Sequence, residues 1–298
     1  MTAIRRYPFA TFDVFTDRRF GGNPLAVFPD ARGLSDAEMQ ALAAEMNLSE
    51  TTFVLPPEDA ANDARVRIFT RVAEMPFAGH PNVGTGFALA PRARDGVLRF
   101  EQMAGLVEVR VLTDAAGEPV GAEVDAPQPL ALGATPPPAL LAAAAALPVE
   151  AIVTARHAPI LAQDGARPRA LVEVRPEALA AAAPDAAAFR RAVAECAELD
   201  GWLSLYLYCQ DWPGRLRARM FSPLGGTPED AATGSAATTL AGFLLHLSGE
   251  ESARLDIAQG VEMGRPSLLR ARARRTPGGI RASVGGGCVP VLRGEALL

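Results

Sequence analysis

The chain of 298 residues contains no lysine: all 29 of its Lys and Arg residues are arginine. This absence excludes the Schiff-base lysine of pyridoxal-phosphate enzymes and the phosphate-binding lysine of a P-loop. The net charge is −5, so no excess of basic residues is available to bind a nucleic-acid backbone. Three large classes of protein are therefore disfavoured before any motif is considered.

Cysteine and histidine are almost as scarce, with three of each. The cysteines have no Cys-x-x-Cys spacing, so neither a disulfide framework nor a zinc site is predicted. The histidines lie about 77 to 89 residues apart, which does not match the spacing of a metal-binding helix. The sequence therefore predicts no metal site.

Long hydrophobic runs are also missing. The longest, Ala139 to Leu147, lies between prolines and is far too short to cross a bilayer, although it predicts a short helix. The first 15 residues lack the apolar core of a secretory signal. These features lead us to expect a soluble cytoplasmic protein.

Strands and helices alternate in the first third of the sequence. Apolar runs predict strands over Thr11–Thr16 and Leu25–Phe28, separated by a Gly-Gly-Asn-Pro turn. A helix follows, because Ser35 and Glu38 have the spacing of a capping box. Asn47 is suited to end that helix.

Glu50 occupies the junction between this helix and a predicted strand, Thr51–Leu55. Beside apolar Phe53 and Val54, its carboxyl group would be partly desolvated, which raises a pKa toward the range useful for general acid/base catalysis. The simpler alternative, taken on this residue alone, is a solvated surface glutamate.

The two halves of the chain share three segments in the same order. Each half has an alternating Arg-x-Arg-x-Phe-Thr/Ser segment, then a helix start of small residues, then a Gln-containing segment expected to open a strand. The pairs are Arg65–Thr70 with Arg217–Ser222, Gly79–Gly86 with Ala232–Ala236, and Gln102–Gly105 with Gln259–Glu262. Chance similarity in an Ala- and Gly-rich chain could explain one match, but three predict an internal duplication.

A duplication implies two similar domains. The Ala-, Pro- and Gly-rich segment Thr113–Pro148 is suited to be the connection between them. We therefore assign residues 1–128 to the first domain and residues 129–298 to the second. This assignment allows the C-terminal strand to return to the first domain. Within the second domain, Pro176–Leu199 is predicted to be helical and Leu203–Tyr208 to be a central strand.

The two small-residue helix starts could bind an anion. Gly79–Gly86 and Thr233–Ser235 would each present free backbone N–H groups, and two facing helix N-termini would suit a carboxylate or a developing enolate. Each polar residue there also has a structural alternative. His80 could be a loop hydrogen-bonder, Asp230 a capping or loop-ordering acid, and Ser235 an N-cap.

Five segments taken together strongly resemble the signature segments of the PhzF (phenazine-biosynthesis) family. The resemblance extends from about residue 10 to at least residue 275. The segments are Phe20–Val27, Asn47–Phe53, Pro76–Pro81, Glu229–Ala236 and Met263–Ser267.

This resemblance implies an α+β, diaminopimelate-epimerase-like fold. Two pseudo-symmetric domains, each a curved mixed β-sheet around a central helix, would hold the active site between them. The position that matches the family's general acid/base is Glu50, and His80, Asp230 and Ser235 match its other catalytic positions. Gly79 and Gly234 match positions whose backbone approaches the substrate, and Thr233 is expected to bind the substrate with them.

The implied function is that of an isomerase acting without metal or organic cofactor. It would move a proton between carbons of a small, cyclic carboxylic or amino acid, and family members are commonly homodimers. A racemase with two cysteine bases is disfavoured, because neither helix start contains Cys. A Glu-based epimerase or racemase, and a non-catalytic small-molecule-binding relative, stay open as alternatives.

Overall fold

The computed structural model describes residues 4–165, 167–212 and 214–298. The chain divides into two compact units. The first unit comprises residues up to Pro127 together with Val284–Leu298, and the second comprises Gln128–Ser283. Residues 1–3 of the N-terminal segment, in which the sequence predicts no secretory signal, lie outside the described residues. No helix within the described ranges is long and apolar enough to span a bilayer.

Strands dominate both units. In chain order, the first unit contains β1 (Arg6–Val14), β2 (Asn23–Phe28), α1 (Asp36–Met46), β3 (Glu50–Leu55), β4 (Ala64–Phe69), β5 (Glu74–Met75), α2 (Gly79–Ala88), β6 (Val97–Gln102), β7 (Gly105–Thr113) and β8 (Pro119–Asp125). The second contains β9 (Ala131–Leu132), α3 (Pro138–Ala144), β10 (Ile160–Gln163), β11 (Arg169–Glu173), α4 (Pro176–Ala181), α5 (Ala186–Glu195), β12 (Leu205–Trp212), β13 (Arg215–Ser222), β14 (Thr227–Asp230), α6 (Gly234–Ser248), β15 (Ser252–Gln259) and β16 (Ser267–Thr276). The last strand, β17 (Gly279–Leu297), begins in the second unit and continues in the first.

The sheet of the first unit closes around α2. Strands β1, β2, β3, β4, β6, β7 and β8 pair in that order, and β17 pairs with both β1 and β8. The glycines of α2 allow this enclosure, because side chains from the sheet fill the space beside them. A Cβ atom at Gly84 would lie 2.5 Å from Leu25 Cδ2, and one at Gly86 would lie 2.4 Å from Val109 Cγ1.

Helix α1 begins and ends as its sequence predicts. The Ser35 side chain accepts a hydrogen bond from the Glu38 backbone N–H, the Glu38 side chain accepts one from Ser35, and Asn47 ends the helix with a φ of 51°. Met39 and Leu42 pack with Phe53 in one apolar cluster of the first unit. This helix therefore delivers the chain to the first residue of β3, which is Glu50.

In the second unit, β9 to β13 form one run of paired strands, and β13 also pairs with β14 and β15. Helix α6 packs against β15, β16 and β10, and most of its residues are buried. Helices α3, α4 and α5 share an apolar cluster with β11 and β12. The short helix predicted in Ala139–Leu147 and the interior strand predicted near Leu203–Tyr208 are confirmed as α3 and β12.

Three local predictions had different outcomes. The region Pro176–Leu199 is not one helix, since α4 ends before Pro184 and α5 begins after it; proline and the residue before it both disfavour helical geometry. The helix start predicted at Gly79–Gly86 is confirmed, since α2 begins at Gly79. Gln102 and Gln259 end β6 and β15; the segment Gln102–Gly105 then leads directly into β7, whereas β16 begins only at Ser267.

The internal duplication is confirmed by the order of strand pairing. In the first unit β2 runs parallel to β3, β3 antiparallel to β4, and β4 parallel to β6 across α2. The second unit repeats this with β11, β12, β13, α6 and β15. The two units are therefore two versions of one topology, each with a buried helix between two parallel strands.

Candidate active site

Glu50 and His80 lie together in the first unit. Glu50 is the first residue of β3, and His80 is the second residue of α2. The distance from His80 Nε2 to Glu50 Oε2 is 3.4 Å, and only 16% of the Glu50 side chain is exposed. A carboxyl group and an imidazole are thus brought together at the start of a buried helix.

Two further polar residues orient the imidazole. Asn23 Nδ2 lies 3.4 Å from His80 Nδ1, and Asn23 Oδ1 accepts a hydrogen bond of 3.2 Å from Ser49 Oγ. This network assigns Nδ1 as an acceptor and leaves the hydrogen on Nε2, the atom nearest Glu50. Sequence reasoning missed both residues, although Asn23 belongs to the Gly-Gly-Asn-Pro turn and Ser49 directly precedes Glu50.

Burial lowers the pKa of His80 to about 3, because the surroundings disfavour the charged imidazolium. His80 is therefore neutral at ordinary pH. Its Nε2 atom is buried and, among the described residues, has no hydrogen-bond partner of good geometry; the Glu50 carboxylate is its neighbour. A neutral N–H group can orient that carboxylate without placing a positive charge beside it.

In the second unit, Asp230 ends β14 and orders the loop before α6. Its Oδ2 atom accepts a hydrogen bond of 2.6 Å from Thr233 Oγ1. Gln259 supports the same loop, since its Nε2 donates to the Asp230 carbonyl at 2.8 Å and to Thr233 Oγ1 at 3.0 Å. The backbone N–H of Thr233 donates to Gln259 Oε1 at 3.3 Å, and the Tyr206 hydroxyl donates to it at 3.1 Å.

Ser235 is not the N-cap of α6, because the helix begins at Gly234 and the N-cap residue is Thr233. The Ser235 hydroxyl instead accepts a hydrogen bond of 2.6 Å from Arg169 Nη2. Sequence analysis did not single out Arg169. It lies 66 residues before Ser235, at the first position of β11, so no local pattern links the two residues.

A duplicated ion pair holds the strand before each helix start. Arg67 donates from Nε and Nη2 to the two carboxylate oxygens of Glu74, at 2.7 and 2.6 Å. Arg219 makes the same two contacts with Glu229, at 2.8 and 2.9 Å. Such a fork fixes both position and angle. It therefore supports β5 and β14, the strands that lead to Gly79 and Gly234.

The predicted residues thus fall into two groups. Glu50, His80 and Gly79 belong to the first unit, and the structure brings Glu50 and His80 together. The second unit contains Asp230, Thr233, Gly234 and Ser235, and there the structure brings Asp230 to Thr233.

The three cysteines cannot act as a pair of bases at the two helix starts. Cys196, Cys209 and Cys288 are all buried, and none lies at the start of α2 or α6. Burial raises the pKa of each thiol, so the reactive thiolate is disfavoured. Within the described part of the chain, no group of three or more His, Cys, Asp and Glu residues is arranged to hold a metal ion.

Comparison with known sequences gives matches over nearly the whole chain. The model of the family PhzC-PhzF, phenazine biosynthesis-like protein, matches residues 12–294. A trans-2,3-dihydro-3-hydroxyanthranilate isomerase of Pseudomonas chlororaphis is 38% identical over 295 residues, covering 97% of this chain and 99% of that protein. An uncharacterized isomerase of Mesorhizobium japonicum is 37% identical over 304 residues, covering 97% of this chain and 98% of that protein.

Solved structures show the same fold. The crystal structure of a Bacillus anthracis phenazine biosynthesis protein of the PhzF family has a TM-score of 0.87 at 23% identity, covering 99% of this chain and 100% of that one. A hydroxyproline epimerase of Agrobacterium vitis has a TM-score of 0.62 at 11% identity, with coverage of 99% and 92%. The expected α+β, diaminopimelate-epimerase-like fold is confirmed. Together with the family match and the isomerase relatives, these findings confirm the resemblance found in the sequence: the chain is an isomerase and belongs to the PhzC-PhzF family of phenazine biosynthesis-like proteins.

Proposed function

We propose that this isomerase moves a proton between two carbons of a small, cyclic carboxylic or amino acid, with Glu50 as the general acid/base and no metal or organic cofactor. One observation carries the proposal: Glu50 Oε2 lies 3.4 Å from Nε2 of a buried imidazole. A carboxylate held in this way can remove a C–H proton and return it to another carbon of the same molecule. Each turnover therefore consumes no second reactant.

His80 is the positioning residue for Glu50 in this mechanism. Since burial keeps its imidazole neutral, the Nε2–H group steers the carboxylate without lowering its basicity as an imidazolium would. Asn23 and Ser49 fix the tautomer that makes this possible. The base is thus oriented by a network whose members carry no net charge.

The second unit supplies binding groups. Asp230, oriented by the Thr233 hydroxyl, holds the amino or hydroxyl group of the substrate and tunes its protonation. The start of α6 at Gly234 and Ser235 holds the substrate carboxylate, since the first N–H groups of a helix attract anions. The backbone at Gly79, the first residue of α2, contributes in the same way.

The isomerase relatives support a substrate class. Because a relative 38% identical over nearly the whole chain is a trans-2,3-dihydro-3-hydroxyanthranilate isomerase, we propose this compound, or a ring acid of the same kind, as the substrate. We also propose a cytoplasmic homodimer, as the family resemblance implies. Light scattering coupled to size-exclusion chromatography measures the mass of the assembly; a homodimer should have about twice the 31.3 kDa of one chain.

Proton NMR in D₂O tests the proposed reaction. Trans-2,3-dihydro-3-hydroxyanthranilate is incubated with wild-type protein, with Glu50→Gln and with Glu45→Gln, an exposed glutamate of α1 that serves as the matched control. We expect wild type and Glu45→Gln to isomerise the compound and to introduce deuterium at carbon, whereas Glu50→Gln should be slower by about 10²- to 10⁴-fold. Wild-type turnover by Glu50→Gln would contradict the proposal.

A panel of amino acids in the same experiment separates isomerisation from epimerisation. Glu50-dependent exchange confined to a Cα hydrogen, with inversion at that carbon, would assign the reaction to a Glu-based epimerase. Exchange in the ring acid alone supports the isomerase.

A further inference from the structure

Arg169 begins β11, and its guanidinium reaches the first turn of α6. Nη2 donates to Ser235 Oγ at 2.6 Å, and Nη1 donates to the Arg167 carbonyl at 2.9 Å. Both hydrogen bonds therefore end on neutral oxygens. The Nε atom is fully buried and has no hydrogen-bond partner among the described residues.

The unused Nε lies on the same edge of the guanidinium as Nη2. In arginine these two N–H groups form the fork that binds both oxygens of a carboxylate. Here one prong of that fork contacts Ser235 and the other has no acceptor. The Ser235 hydroxyl, which accepts from Nη2, retains its own hydrogen to donate.

The surroundings of Arg169 also favour an added anion. The first N–H groups of α6, a helix of 15 residues, carry partial positive charge. Burial lowers the pKa of Arg169, while the charges of Asp164 and Asp230 raise it, so a nearby negative charge stabilises the guanidinium. Asp164 is 2% exposed; burial raises its pKa, whereas the charge of Arg169 lowers it, so each of these two buried groups favours the charged form of the other.

We infer that Arg169 is a substrate-binding residue that accounts for the preference for a carboxylate: the Nε–Nη2 fork, the Ser235 hydroxyl and the start of α6 form the carboxylate site. The inference rests on the proposed function, since it names the group that recognises the acid on which Glu50 acts. It adds a cationic side chain to a site otherwise made of backbone N–H groups and hydroxyls.

Binding of two ring compounds tests this assignment without turnover. Anthranilate carries a carboxylate next to an amino group, and aniline lacks the carboxylate. Calorimetric titration compares wild type with Arg169→Gln, Arg169→Lys and Arg215→Gln, the last being a half-exposed arginine of β13 paired with Asp211. We expect Arg169→Gln to bind anthranilate about tenfold more weakly or worse than wild type, but to bind aniline as wild type does. Arg215→Gln should bind anthranilate with wild-type affinity.

Arg169→Lys separates a binding role from a structural one. It keeps the charge but loses the fork, so we expect anthranilate affinity between those of wild type and Arg169→Gln, with an unfolding midpoint close to that of wild type. Undiminished anthranilate affinity in both variants would overturn the inference. So would equal loss of anthranilate and aniline, or a wild-type protein that does not prefer anthranilate.

Glu50→Gln distinguishes this inference from the proposed function. It should bind anthranilate as wild type does, because the carboxylate site contains no atom of Glu50. If Arg169→Gln loses affinity while Glu50→Gln still isomerises the ring acid, the carboxylate site stands and the proton-transfer role fails. If Glu50→Gln is inactive and Arg169→Gln binds normally, the opposite conclusion follows.

Discussion

The starts of α2 and α6 occupy equivalent places in the two units but carry different chemistry. Each follows a short strand held by a bidentate Arg–Glu pair, and each is contacted by a glutamine at the end of the next parallel strand. At the second helical position, however, the first unit has His80 and the second has Ser235. The scaffold is duplicated, whereas the reactive side chains are not.

Strand register extends this comparison to the residues around each helix. Thr51 pairs with Phe69 in the first unit as Leu205 pairs with Phe221 in the second, so Glu50 is equivalent to Ser204. The Ser204 hydroxyl accepts from Trp202 Nε1 and lies 3.2 Å from Ser222 Oγ. The second unit thus has a packed hydroxyl where the first has its carboxylate.

The reverse asymmetry holds on the neighbouring strand. Ala26 pairs with Thr51 as Ala170 pairs with Leu205, which makes Leu25 the equivalent of Arg169. One unit therefore has a carboxylate and no cation, and the other has a cation and no carboxylate at these positions. At these equivalent positions the two units therefore do not carry a matched pair of bases.

Exchanging the chemistry of the equivalent positions should have the largest effect. Glu50→Ser gives the first unit the residue of the second, and we expect the isomerisation rate to fall by about 10²- to 10⁴-fold because the base is lost. Ser204→Ala should keep the rate near the wild-type value and cost about 1 kcal/mol of unfolding free energy, since a buried hydrogen bond is removed. NMR measures the rate of product formation, and urea unfolding measures the free energy of unfolding. Comparable rate losses in the two variants would refute the conclusion that the base lies at this position in the first unit only.

The two Arg–Glu pairs should differ in their contribution to stability. Arg219 is 7% exposed and also donates to the carbonyls of Leu179 and Ala182, so Arg219→Met leaves several buried acceptors unpaired. We expect a loss of about 3 kcal/mol or more in unfolding free energy.

Arg67→Met should cost less, about 1 to 2 kcal/mol, because Glu74 can hydrate when the arginine is removed. Urea unfolding at pH 7 compares the two variants. Adding Glu229→Gln to Arg219→Met should restore part of the loss by removing the stranded charge. A greater loss at Arg67 would show that burial does not decide the difference.

His80 should make stability depend on pH in a way that Ser235 cannot. The unfolded chain binds a proton on His80 below pH 6.5, but the folded chain does so only near pH 3. Folding is therefore progressively destabilised as the pH falls through this window, by about 2 kcal/mol at pH 5 relative to pH 7. His80→Gln should lose this component and Ser235→Ala should keep it. Equal pH dependence of wild type and His80→Gln, measured by urea unfolding, would contradict the assignment of a neutral buried histidine.

The sequence was informative where the signals are local. The capping box of α1, the end of that helix at Asn47 and the position of Glu50 at the start of β3 all depend on neighbouring residues, and all were predicted. The duplicated segments also predicted the repeated topology. The helix boundaries within Pro176–Leu199 were missed, because Pro184 interrupts a segment whose composition is otherwise helical.

The supporting residues of the site could not be found in this way. Asn23 contacts His80 across 57 positions and Arg169 contacts Ser235 across 66, and each contact joins the first residue of a strand to the start of a helix. No local pattern encodes such a distance. The family resemblance indicated Glu50, His80, Asp230 and Ser235; its segments include Asn23 but not Arg169, and it assigned neither residue a role.

Two Gly→Ala variants test how closely each sheet encloses its helix. Gly84 of α2 has Leu25 Cδ2 at 2.5 Å and Val14 Cγ2 at 2.8 Å from the position of an added Cβ atom, so Gly84→Ala should destabilise the protein by about 1 to 3 kcal/mol through overpacking. At Gly242 of α6 the nearest atom, Leu130 Cβ, lies at 3.5 Å, an ordinary contact. Gly242→Ala should therefore stabilise the protein by up to about 1 kcal/mol, because alanine has the higher helix propensity. Unfolding midpoints that move in the same direction for both variants would mean that the two helices are enclosed alike, and the difference in packing between the units would have to be abandoned.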